Sequence, residues 1–304
     1  MPYQNGNKMN YKKNIKIMIL PTYKSNNTCT LFQYSNNNNI LDISKLDELL
    51  QNLIHNFNIS SILIVGGEIS LLSNFYFSLL FNLLKGYTKN IQVFTNFLNI
   101  NKSIINECEI LNILINFNSN NNTILENIKA YTSFGNNIVN VKCFDKDCEY
   151  NEERVIFKLN QLNVKSFEII PSYTQKQPNN YFENIVKKYL KLSNKMKFAF
   201  QNELQLKNIL NLDNYNTQIV YITPNNKYAL QEEKDNKIIL TEIDDYDELK
   251  QKLKEKEKFL DIFCKKCTSK LQCMKNYFSN YNENNNSCCG FKCLIDDYKK
   301  REIK

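Results

Sequence analysis

Apolar residues along the chain fall in short runs separated by helix-periodic or polar text. Residues 15–20 (IKIMIL) form the first run and read as a strand. A second run, residues 62–65, ends in Gly66-Gly67-Glu68, and a third, 91–95, leads into Asn96. A fourth covers 111–116. Residues 138–144 alternate, with Val139, Val141 and Cys143 on one face, as the two-residue period of a strand requires. Residues 166–170 form a sixth run, closed by Pro171. Residues 69–84, 123–134 and 152–162 read as helices between them, with Gly135 placed where the second should stop. Strands alternating with helices imply a parallel sheet with right-handed crossovers.

The text changes near residues 200–215. Residues 220–241 look like a hairpin, and residues 242–258 mix both charges at helical spacing, a solvated helix face with Leu249, Leu253 and Leu260 turned inward. Cysteines follow. Of ten in the chain, Cys264, Cys267, Cys273, Cys288, Cys289 and Cys293 lie in this tail. C-x2-C-x5-C followed by a further Cys is metal-ligand spacing. Four thiolates suit either a [4Fe–4S] cluster or tetrahedral zinc, and spacing alone leaves both open. A disulfide framework is the weaker reading, because no signal-peptide pattern opens the chain and disulfides are rare in reducing compartments. The expected location is cytoplasmic.

Composition removes several function classes. The chain has 304 residues, one histidine and no tryptophan. With only His55 available, Ser-His-Asp triads and histidine-rich catalytic zinc sites are set aside; His55 reads as a surface or capping residue. The net charge of +8 is spread out, with no basic cluster interleaved with aromatics, so no nucleic-acid partner is expected. No apolar run reaches the eighteen or so residues that a membrane span needs. The runs of asparagine read as loop filler.

The stretch 20–34 (LPTYKSNNTCTLFQY) carries a resemblance. It resembles the opening loop of the radical SAM enzymes, which follows the first strand and carries C-x3-C-x2-C. Here the three positions read Ser25, Cys29 and Phe32. Gly66-Gly67-Glu68 resembles the family's GGE motif, which binds the methionine end of S-adenosylmethionine. Thr95-Asn96 resembles its TNG, with Phe97 in place of the glycine. The tail resembles the end of a SPASM module, with Tyr277 where another cysteine is usual.

The resemblance implies an α/β fold: a partial (β/α)6 radical SAM-like barrel, residues 1–210, followed by a small cysteine-rich SPASM-like module, residues 211–304. It implies a barrel mouth gathering Ser25, Cys29, Glu68, Asn96 and Asn116. Gly66, Gly67, Glu68 and Asn96 would form a vestigial S-adenosylmethionine pocket. Cys264, Cys267, Cys273 and Cys293 would hold one [4Fe–4S] cluster, with zinc as the alternative metal and Cys288 or Cys289 as alternative fourth ligands. The opening loop supplies one thiolate where the catalytic cluster needs three. The implied role is a degenerate peptide-maturation component that binds a precursor peptide or an active maturase. The rivals are an active radical enzyme with a rebuilt cluster, to which Cys29, Cys143 and Cys148 could contribute, and a zinc-stapled binding module.

Overall fold

Ile15, Ile17 and Ile19 are fully buried, while Lys16 between them is exposed. That alternation makes residues 13–19 a strand with one face in a core. The computed structural model describes residues 12–25, 39–99, 107–117, 122–133, 137–148, 151–170, 181–210, 218–234, 237–263 and 292–302. Cys29, Phe32, Cys264, Cys267, Cys273, Cys288 and Cys289 lie outside them.

The strands are β1 (Lys13–Ile19), β2 (Phe57–Ile64), β3 (Ile91–Thr95), β4 (Ile110–Leu114), β5 (Ile138–Phe144), β6 (Ser166–Ile170), β7 (Ala199–Phe200), β8 (Gln218–Ile222), β9 (Tyr228–Lys234) and β10 (Lys237–Ile243). The helices described are α1 (Ile43–Asn56), α2 (Asn74–Lys85), α3 (Asn122–Thr132), α4 (Glu152–Asn160), α5 (Tyr181–Leu190), α6 (Gln201–Leu210), α7 (Tyr246–Phe263) and α8 (Lys292–Glu302). All strands join one sheet in the order β10-β9-β8-β1-β2-β3-β4-β5-β6-β7. From β8 through β7 every neighbouring pair is parallel; β9 and β10 are antiparallel. Six parallel strands in chain order, β1 to β6, are the expected barrel frame. The hairpin-like text of 220–241 becomes β8, β9 and β10, and β8 lies parallel against β1. The sheet therefore runs on across residue 210.

Side chains separate cleanly by face. One face buries Ile15, Ile17, Ile62, Ile64, Val93, Leu111, Ile113, Val139, Val141 and Phe167 against the helices. Helix α2 shows the pattern: Ser73 caps its start by accepting from the Tyr76 N–H, and Phe77, Leu80, Phe81 and Leu84 form its buried stripe. Each such side chain contributes roughly 1.5–3 kcal/mol by leaving water. The opposite face carries a smaller cluster of Leu20, Val65, Tyr221 and Ala229, with Met18, Leu63 and Phe94 beside it.

Residue 242 is a correction to the sequence reading. Glu242 belongs to β10, and the charged helix starts at Tyr246. The cause is local: the Glu242 Oε1 accepts from the Thr223 hydroxyl (2.7 Å), the Asn225 amide (2.8 Å) and the Tyr23 hydroxyl (3.2 Å), which fixes it in the sheet. Among the described residues no helix is long and apolar enough to cross a membrane.

Candidate functional site

Parallel strands put all their C-terminal ends on one edge, and in barrels built this way that edge holds the site. Here it gathers Pro21 to Ser25 after β1, Gly66-Gly67-Glu68 after β2, Thr95 to Phe97 after β3, Asn116 after β4 and Thr223 after β8.

The GGE turn has a definite geometry. Gly66 and Gly67 have φ of 92° and 55°, in the left-handed region open to glycine. A Cβ on Gly67 would lie 2.3 Å from the Lys24 carbonyl oxygen and 2.7 Å from that of Thr22. The loop after β1 thus lies directly on the Gly67 Cα. The Glu68 N–H then donates to the Lys24 carbonyl at 2.7 Å. On its other side the loop is held by β8, where the Leu20 N–H donates to the Ile222 carbonyl (2.8 Å), and by the Tyr23 hydroxyl on Glu242. Burial and the neighbouring Glu242 carboxylate help push the Tyr23 phenol up to about 12. The far end of the loop returns beside its start: Thr22 bridges Ile40, and the Leu41 N–H donates to the Pro21 carbonyl.

The Glu68 carboxylate is 1% exposed and serves the chain itself. Its Oε1 accepts from the Ser70 N–H (3.1 Å) and the Thr95 hydroxyl (2.6 Å), and its Oε2 accepts from the Asn96 N–H (2.9 Å). Glu68 and Asn96 are therefore brought together as expected, but through the Asn96 backbone. The Asn96 Oδ1 accepts from the Leu98 N–H at 3.1 Å. Phe97, where the resembling motif has glycine, keeps a left-handed backbone (φ 55°). Its buried ring meets Tyr131 edge-on at 5.6 Å, and the Asn127 amide donates to its carbonyl. The neighbouring Ser70 hydroxyl is buried without a hydrogen-bond partner among the described residues.

Cys143 and Cys148 lie elsewhere. Both are buried in the helix-facing core, Cys143 on β5 and Cys148 at the end of a 3₁₀ turn. Burial first, then the Cys148 sulfur, pushes the Cys143 thiol well above its usual range. The period that puts Cys143 with Val139 and Val141 turns it away from the concave face. Among the described residues no group of three or more His, Cys, Asp or Glu side chains is arranged to hold a metal. Cys293 falls in α8; its proposed co-ligands are outside the described residues. His55 is exposed in the last turn of α1.

The concave face holds polar groups that sequence reasoning missed. Lys16, Asn112, Lys142 and Glu168 each sit between two residues of the helix-facing core, so they share the opposite face. Lys142 and Glu168 form an ion pair, and the Gln205 amide donates to the Glu168 Oε1 (2.8 Å). The Asn112 amide donates to the Gln92 Oε1 (3.0 Å). In a flat sheet four strand spacings, roughly 19 Å, would separate β1 from β5. Yet the Lys16 ammonium feels Glu168 and Lys142. The sheet is curled, and these groups face one another across the interior. The available signal was a charged residue inside each of three apolar strands.

No family model matches the chain, and no curated protein matches it. Solved structures do. The anSMEcpe with bound AdoMet superposes with a TM-score of 0.66 at 14% identity, covering 95% of this chain and 98% of that one. The chain has a radical SAM-like fold. The anSMEcpe with AdoMet and the Cp18Cys peptide gives 0.64 at 16%, over 95% and 98%. Streptococcus suis SuiB bound to precursor peptide SuiA gives 0.53 at 12%, over 71% of this chain and 59% of SuiB, so the chain spans well under two thirds of SuiB. At such identities the radical SAM-like fold is what the likeness establishes.

Proposed function

We propose that this chain is a peptide-binding component of peptide maturation that has the radical SAM-like barrel without its radical chemistry. The observation that carries the reading is the fate of the cofactor motif. Gly67 is occupied by the backbone of the β1 loop, and all three bonds to the Glu68 carboxylate come from the chain itself. Among the described side chains of the turn, the Ser70 hydroxyl is the buried one left without a partner. A lone hydroxyl does not match the ammonium end of S-adenosylmethionine, which asks for a free acceptor carboxylate or several carbonyls. The opening loop adds one thiolate, Cys29, to Ser25 and Phe32. A site-differentiated [4Fe–4S] cluster needs three. Neither donor set fits its group, and no catalytic step is assigned to them.

The tail differs. Cys264, Cys267, Cys273 and Cys293 are an all-thiolate set suited to one [4Fe–4S] cluster, which would staple the C-terminal segment. Peptide binding is supported by the polar groups on the concave face of the sheet and by the peptides bound in SuiB and in the anSMEcpe structure. The test is anaerobic purification with iron, sulfide and zinc analysis, followed by reduction with S-adenosylmethionine. About four irons per chain, lost in Cys267→Ala, and no 5′-deoxyadenosine above a no-protein control are expected. Formation of 5′-deoxyadenosine would overturn the reading. Stoichiometric zinc without sulfide would replace the cluster by a zinc staple.

A further inference from the structure

Among the described residues Lys16 and Lys142 put two ammonium groups on the concave face of the barrel strands, and one of them is paired. Lys142 is paired with Glu168, and Gln205 satisfies the other Glu168 oxygen. Lys16 has no hydrogen bond or ion pair among the described residues, and it remains exposed to solvent inside the curve of the sheet. Its position is enforced from both sides. Ile15 and Ile17 are fully buried against the helices, so the period of two leaves Lys16 no other direction. Next to it β2 carries an extra residue, where the register shifts between Ile15 and Lys16, and the Ser60 hydroxyl donates to the Ile15 carbonyl at 2.9 Å. Such bulges re-aim side chains and gather beside functional sites.

Lys16 is exposed as a residue, yet the curve of the sheet crowds its ammonium: desolvation, and next the repulsion of Lys142, hold it below the ordinary lysine range against the pull of Glu168. An unpaired cation in such surroundings is stabilised by a fixed anion, and the amides of Gln92, Asn112 and Asn140 face the same side as Lys16. Amides orient a carboxylate by hydrogen bonds without competing for the charge.

We propose that Lys16 anchors the carboxylate of an Asp or Glu side chain of the bound peptide inside the barrel. The proposal rests on the peptide-binding reading above and names the chemistry that peptide must present. Arm one needs no peptide. Amine labelling of the whole protein at mildly alkaline pH, read by mass spectrometry, should mark Lys16 ahead of the exposed lysines, and glutarate should slow it while the isosteric diamide glutaramide does not. Lys16 labelling indifferent to glutarate overturns the anion site. Arm two uses short peptides that differ only by Asp against Asn, with affinity read by anisotropy. Unaltered protein should prefer Asp by about tenfold, the worth of a charge-assisted hydrogen bond. Lys16→Met should abolish the preference while Asn-peptide affinity stays, and Lys16→Arg should keep it. A preference that survives Lys16→Met in folded protein overturns the proposal. Should Lys16→Met fail to fold, Lys16→Arg and glutarate protection decide. Glutarate protection with no peptide bound would sink the peptide reading alone and leave the carboxylate site standing.

Discussion

Glu68→Gln is the sharpest perturbation of the mouth, because it changes charge and one acceptor while keeping shape. In the native turn Oε1 takes two donors and Oε2 takes one, the Asn96 N–H at 2.9 Å. A glutamine has one carbonyl. Its better orientation keeps that carbonyl on Ser70 and Thr95 and turns the amide NH₂ toward the Asn96 N–H, donor against donor. The lost charge-assisted bond is worth about 1.5–3 kcal/mol and the orphaned buried N–H about 1–3 kcal/mol. The relief of a buried charge offsets part of this, so a net loss of roughly 2 kcal/mol is expected. Urea unfolding followed by circular dichroism should show a lower midpoint at unchanged slope. Amide exchange should rise at Asn96 by more than at strands remote from the turn. A loss under about 0.5 kcal/mol with unchanged Asn96 exchange would refute the clamp, because a loss that small is ordinary for a substitution away from any structural bond. Glu68 would then be a group reserved for a ligand.

Three further outcomes are expected. Gly67→Ala places a Cβ against two backbone oxygens at 2.3 and 2.7 Å in a left-handed residue, and should cost about 2–4 kcal/mol in the same unfolding assay; a neutral effect would show that the β1 loop is not seated there. Phe97→Ala should cost about 3–5 kcal/mol for the lost ring, and Phe97→Gly about 1 kcal/mol less because φ is 55°, reversing the usual order of these two residues; Ala equal to or better than Gly would contradict the backbone geometry. The Asp147 carboxyl is raised by burial, and its Oδ2 has no partner. A carboxyl raised in the fold stabilises below its unfolded pKa and loses that contribution as pH rises through its folded pKa. Asp147→Asn should therefore raise the melting temperature at neutral pH and change it little in acid; a uniform shift at both pH values would point to packing instead.

Much of the barrel frame was legible because its strands are short, apolar and locally bounded. β3, β5 and β6 coincide with their apolar runs to the residue. β2 starts earlier than its apolar run, at Phe57, because Asn58, Ser60 and Ser61 mask a strand that follows α1 without a loop. β7 spans two residues and has no pattern to read. The place of β8 could not be read, since its partner β1 lies some two hundred residues earlier and pairing at that range leaves no local trace. The same holds for the interior: Lys16, Lys142 and Glu168 become neighbours only once the sheet is curled. The opening-loop thiol and most of the tail cysteines fall outside the described residues, so their placement stays with the metal analysis.

The mouth also gives the Gly-Gly-Glu turn a structural role of its own. In a radical SAM-like barrel the loop after β1 must be held at the mouth whether or not it carries a cluster. Here two acidic residues do the holding. Glu242 collects Thr223, Asn225 and Tyr23 on the β8 side. Gly67 and Glu68 seat Lys24 on the β2 side, while the Glu68 carboxylate ties β2 to the end of β3. Replacing Gly67 or Glu68 would loosen the loop whatever the mouth binds. The presence of Gly66-Gly67-Glu68 is thus accounted for by packing and hydrogen bonds alone, and it carries no weight as evidence for radical chemistry. What bears on function is the residue the packing does not explain, the ammonium of Lys16, which has no partner among the described residues.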